Sequence, residues 1–192
     1  MPVQQRRERQ RAERHRLILD TARRIAESEG WDAVTTRRLA DAIEYSQPVL
    51  YSHFAGKDEI VAAVALDGFA ELTASLRTSP ATADRPGGPQ VRLTVVARAY
   101  LGFAAAHPAV YAAMFSMDTA LTFATAESPE PLREAFAVLR DALGAATGLR
   151  DLDTRTELFW STLHGLATLT AGHRLRPEHA DPRLTLLVAQ QR

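Results

Sequence analysis

The stretch TTRRLADAIEYSQPVLYSHF, residues 35–54, decides the fold. Thr35 stands where a helix N-cap is wanted. Behind it Leu39, Ala40 and Ile43 share one face of a short helix that ends near Ile43. Ser46 offers a second N-cap, and Pro48 lies in the first turn of the helix that follows, where its missing N–H costs no hydrogen bond. Two short helices joined by three or four residues and held against a third describe a helix-turn-helix. Leu39, Ala40 and Ile43 are expected to face Val49, Leu50 and Phe54. Gln47, Tyr51, Ser52 and His53 then point outward, able to meet base edges or phosphates from within a major groove.

Upstream, Leu17, Ile18, Thr21, Ala22, Ile25 and Ala26 mark one face of an amphipathic helix over 11–29, ended by Gly30. Trp31 and Val34 are placed to pack beneath the next element. Arg6, Arg7, Arg9, Arg11, Arg14, Arg16, Arg23 and Arg24 crowd this end against Glu8, Glu13 and Asp20, although the whole chain carries no net formal charge. Such a stretch can collect phosphates, and a solvated helix face has the same charge pattern. Downstream, Ala55-Gly56 breaks the chain and Lys57 opens a longer apolar helix through Ile60, Val61, Val64, Leu66, Phe69 and Leu72.

Residues 78–90 hold three prolines and two glycines and read as a surface loop. Beyond them helical patterning continues over 91–106, 108 to about 123, 132–146, 154–174 and 182–191. No β-alternation persists. The expected fold is all-α, with roughly nine helices: an N-terminal three-helix domain over 1–60 that includes a basic arm at 1–12, and a helical bundle over 61–192.

Composition narrows the classes. The 192 residues are 46% hydrophobic, enough for a packed core, and contain no cysteine, so neither disulfides nor Cys-rich zinc sites are possible. No apolar run approaches the length of a membrane span, and the Arg-rich start lacks a signal-type hydrophobic segment; a cytoplasmic protein with no membrane partner is expected. No nucleophile elbow, P-loop, dinucleotide fingerprint or HExxH motif appears, so neither an enzyme nor a cofactor is expected. His164 and His173 stand nine residues apart, with no cysteine or clustered carboxylate to complete a metal site. A helical interaction module that has lost DNA binding is a weaker alternative, for which Glu44 is the one hint.

Thr35–Ala40, Gln47–Phe54 and Lys57 together strongly resemble the DNA-binding domain of the TetR family of repressors, and LYSHFAGKDEI is similar to that family's passage from helix three to helix four. The resemblance implies that Thr36, Tyr51 and Lys57 hold phosphates while Arg37, Gln47, Pro48 and His53 approach bases of a double-stranded, palindromic operator. One departure falls in the turn, where the family usually has Gly and this chain has Glu44. If that position needs a positive φ, the side chain costs on the order of 1 kcal/mol.

In the C-terminal half, Tyr100, Phe103, Tyr111, Met114, Phe115, Phe136 and Trp160, with His107 and His164 as polar points, form a set able to line a mostly apolar pocket for a small-molecule effector. The same residues also suit a plain core. Phe159–Leu166 and His107–Phe115 resemble a C-terminal type within the family marked by a Trp…His-Gly helix. That resemblance implies a homodimer built on the last two helices, with Leu163, Ala167, Thr170, Leu184, Leu187 and Val188 at the interface. The function implied is a ligand-responsive repressor.

Overall fold

The structure, a computed structural model, describes residues 2–78, 88–147 and 150–191. Among these there are nine α-helices, two short 3₁₀ turns and no strand. The helices are α1 (Pro2–Glu29), α2 (Thr36–Ala42), α3 (Gln47–Tyr51), α4 (Lys57–Thr78), α5 (Gly88–Ala106), α6 (Pro108–Phe115), α7 (Glu130–Thr147), α8 (Leu152–Ala171) and α9 (Ala180–Ala189). The chain divides into two compact units, Met1–Gly68 with Ala109–Leu121, and Phe69–Pro108 with Thr122–Arg192.

In the first unit α1 buries Ile18, Leu19, Ala22, Ile25 and Ala26. Leu17, expected on that stripe, is 42% exposed, because the buried face is centred on Ile18, Ala22 and Ile25. Gly30 closes α1 with φ +84°, and its N–H reaches the Ala26 carbonyl at 2.9 Å. Trp31 and Val34 are buried as expected, with Leu39 and Ala40 of α2, Leu50 and Phe54 of the following segment, and Ile60, Val61 and Val64 of α4.

This unit reaches past residue 60 and takes in Ala109–Leu121, which sequence patterning assigned to the second domain. The cause is a set of bonds at the start of α6. Glu27 accepts from the Ala109 and Val110 N–H groups at 3.0 and 3.3 Å, occupying first-turn donors that have no partner inside a helix. The buried Trp31 indole donates to the Ala109 carbonyl at 2.8 Å. Gly68 lets α4 and α6 approach closely: a Cβ there would lie 2.5 Å from Val110 Cγ1 and 2.9 Å from Met114 Sδ.

In the second unit α5 is central, burying Leu93, Val96, Ala97, Tyr100 and Phe103 and packing on α7, α8 and α9. The partners contribute Leu139 and Leu143 from α7, Phe159 and Leu163 from α8, and Leu184, Leu187 and Val188 from α9. Helix α6 ends at Phe115 rather than near Phe123. The poor helix formers Ser116, Asp118 and Thr119 follow directly. The expected arm at 1–12 is helical from Pro2 onward. Most of the expected loop at 78–90, residues 79–87, lies outside the described residues.

Candidate nucleic-acid interface

Local chemistry builds the helix pair. Thr35 caps α2, its hydroxyl accepting from the Arg38 N–H at 3.1 Å. Helix α2 closes through Ile43 N–H to the Leu39 carbonyl at 3.0 Å and Tyr45 N–H to the Ala40 carbonyl at 3.0 Å. Between them Glu44 adopts φ +57°, the left-handed conformation that the family's usual glycine supplies without penalty. Ser46 holds the N-cap position of α3 by its backbone, its side chain making no capping bond, and Pro48 sits in the first turn. Helix α3 is short: after Tyr51 the chain tightens, with Phe54 N–H still returning to the Leu50 carbonyl at 3.0 Å.

The two faces of this segment separate cleanly. Leu50 and Phe54 are 0% and 2% exposed, whereas Tyr51 is 52% exposed and Gln47 and Pro48 are also exposed. Tyr51 is therefore no core aromatic. Its hydroxyl lies 3.4 Å from the Thr36 hydroxyl, so the last residue of α3 and the first of α2 offer two hydroxyls at one point. Arg37 is exposed beside them.

Two other positions behave differently. His53 is half-buried and turned toward α1, its ring 6.3 Å from that of His15, and His15 stacks on Phe54 at 4.5 Å. Burial first, and then the charges of Arg11, His15 and Arg14, lower the pKa of the His53 imidazole and favour its neutral form. The Lys57 ammonium, half-buried at the start of α4, donates to the Trp31 carbonyl at 2.5 Å. That bond uses one of its three donors to tie α4 to the turn after α1.

The nine residues assigned to an effector pocket fall into two groups. In the second unit Tyr100 and Phe103 are buried, with His107, Phe136, Trp160 and His164 half-buried. The Trp160 indole donates to the Tyr100 hydroxyl at 3.0 Å, and the Phe103 and His107 rings lie 5.1 Å apart. Burial lowers the pKa of His164, favouring its neutral form. In the first unit Tyr111 and Phe115 pack at 4.8 Å, and Met114 is spent on the contact with α4 at Gly68.

Five of the six residues expected at a dimer interface lie inside a single chain. Leu163, Ala167, Leu184, Leu187 and Val188 are buried within the second unit of a single chain, leaving only Thr170 exposed. The most apolar stripe of a bundle helix faces its own core. The outer faces carry Leu158 (65% exposed), Leu169 and Leu186 (63% exposed) instead. Sequence reasoning also passed over Glu27 and Gly68. An isolated glycine inside a helical run was the available signal for the second.

An exposed recognition helix seated on a capped partner by a fully buried Leu50 defines a DNA-binding regulator of the helix-turn-helix class. Residues 18–64 match the family described as bacterial regulatory proteins, tetR family, and residues 93–190 match the tetracyclin repressor-like C-terminal domain. The chain belongs to the TetR family of transcriptional regulators. It is 40% identical over 63 residues to the HTH-type transcriptional repressor Rv1474c of Mycobacterium tuberculosis, covering 33% of this chain and 34% of that one. The chain thus matches about a third of that repressor's length. The crystal structure of a regulatory protein, SCO4313, superposes with a TM-score of 0.69 at 25% identity, over 96% of this chain and 95% of the other. A TetR from Acinetobacter baumannii, crystallised with minocycline, shares the fold at a TM-score of 0.61 and 18% identity, over 90% and 93% of the two chains.

Proposed function

We propose that this regulator is a cytoplasmic repressor that sits as a homodimer on a palindromic operator and is released by a small, mostly apolar effector. The observation that carries the DNA half is the outer edge of α3, Gln47, Pro48 and Tyr51, exposed while Leu50 anchors the helix from behind. Gln47 is the side chain suited to adenine N6 and N7, and Tyr51 with Thr36 to a phosphate. Reading a palindrome needs two such edges about 34–36 Å apart, which one chain does not supply. The outer stripe of α8, with Leu158, Thr162, Gly165 and Leu169, is the face we assign to the second copy, joined by Leu186 of α9. Gly165 leaves that stripe open for close helix approach, a Cβ there meeting nothing within 4 Å.

For the effector, the Tyr100–Trp160 hydrogen bond supplies a polar point among aromatic side chains of α5 and α8, with His164, whose neutral form burial favours, as a second. The minocycline complex of the Acinetobacter protein supports a ligand in a protein of this fold. Helix α4 belongs to both units, and a coupling of about 1–3 kcal/mol between effector and DNA would be transmitted along it. The test is fluorescence anisotropy with duplexes covering the region upstream of the protein's own gene. Sequence-specific, salt-dependent binding is expected, and Gln47→Ala should cost on the order of 1–3 kcal/mol of discrimination. Equal affinity for that DNA and a scrambled duplex would refute the reading.

A further inference from the structure

Helix α1 is 28 residues long and begins at Pro2, well before its first buried residue, Ile18. Its N-terminal turns therefore project past the core they would otherwise pack on, and their side chains are exposed from Gln4 to Leu17. The helical phase of these turns is informative. Arg7, Arg11, Arg14 and Ile18 follow the i, i+4, i+7, i+11 spacing of a single stripe. Ile18 faces the helix-turn-helix core, so the three arginines continue the same face outward. Two contacts fix its direction: Arg11 Nη2 donates to the carbonyl of Ser52, at the end of α3, at 3.4 Å, and the Arg14 guanidinium lies 6.0 Å from the ring of Tyr45, in the turn between α2 and α3. At 100° per residue Glu8 and Glu13 fall about 100° or more away from Arg7 around the helix. Arg16 is spent on Asp20 and Asp67, whereas Arg7 makes no ion pair among the described residues.

We infer that the first turns of α1 form a rigid helical arm that lies along the phosphate backbone of the DNA beyond the segment read by α3, with Arg7 as its outermost clamp and Arg11 and Arg14 nearer the recognition helix. The arm reaches far enough to matter: Arg7 is eleven residues from Ile18, about 16 Å of helix. This rests on the DNA-binding reading above, and it adds a footprint that α2 and α3 do not supply. Because phosphates carry no sequence, the arm strengthens binding without narrowing the operator.

The experiment uses the full-length protein and the duplex that it protects upstream of its own gene, with native flanks and trimmed to the segment under α3. Arg7→Gln keeps a good helix former and should make the slope of log affinity against log salt shallower by about 2 per dimer, roughly tenfold less loss of affinity between 50 and 200 mM salt. Arg7→Lys should restore the slope, and on the trimmed duplex wild type and Arg7→Gln should coincide. Wild-type slope in a helical Arg7→Gln protein, or the same loss on flanked and trimmed DNA, would overturn the arm. Unchanged DNA binding together with Arg7-dependent binding to phosphatidylglycerol vesicles would overturn it in favour of a membrane surface. A wild-type protein that binds no duplex specifically would instead refute the regulator reading itself.

Discussion

Glu44 shows what one residue does to a turn. Its φ of +57° is the conformation that a glycine accepts freely, and the family usually carries a glycine there. The penalty for a side chain in this region is about 1–2 kcal/mol, part of which a glycine returns as backbone entropy on folding. Glu44→Gly is therefore expected to stabilise the protein by roughly 0.5–1 kcal/mol, a rise of about 2 °C in Tm. It also removes a negative charge beside the DNA face, so affinity for the duplex should rise in the same variant. Thermal unfolding and anisotropy check the two effects, and a lower Tm would mean that the Glu44 side chain is held by a favourable contact. The exposure of Tyr51 and Gln47 was legible in the sequence because their neighbours Leu50 and Phe54 had to be inside. The half-burial of His53 was not, since residue type alone does not announce a side chain leaning on His15.

At the scale of elements, caps and periodicity located α2 and α3, while contacts distant in sequence escaped them. The start of α6 is fixed by Glu27 and Trp31, about eighty residues away, and nothing local in AHPAVY announces that bond. Helix α6 therefore joined the first unit instead of the second. Gly68 is the place where this arrangement is most sensitive. Gly68→Ala would put a methyl group against Val110 and Met114 in a packed contact, and overpacking of that kind costs about 1–3 kcal/mol. Glycine-to-alanine exchange inside a helix ordinarily stabilises by up to roughly 1 kcal/mol, so a net loss in denaturant unfolding isolates the close approach of α4 and α6. A gain of that ordinary size would show that the two helices separate without cost.

For the whole molecule, apolar patterning indicated which helices were amphipathic but not which neighbour each stripe served. Leu163, Leu184, Leu187 and Val188 looked like an intermolecular seam and turned out to close the second unit upon itself. Periodicity reports that a face is buried, and a single sequence does not say against whom. The exposed Leu158 and Leu186 now carry the proposal of a second copy. Leu158→Glu places a charge on that outer stripe, and sedimentation should show the wild-type mass halved, with helicity by circular dichroism unchanged. A dimer that survives Leu158→Glu would move the interface elsewhere.

The chain has two tryptophans, and the fold assigns one to each unit. Trp31 is buried with its indole committed to Ala109, while Trp160 is half-buried and hydrogen-bonded to Tyr100 beside the residues proposed to meet the effector. With Trp31→Phe or Trp160→Phe the remaining indole becomes a single intrinsic fluorophore in one unit. Emission from each can be followed separately, so the time order of effector arrival and DNA release is open to stopped-flow optics without any added dye.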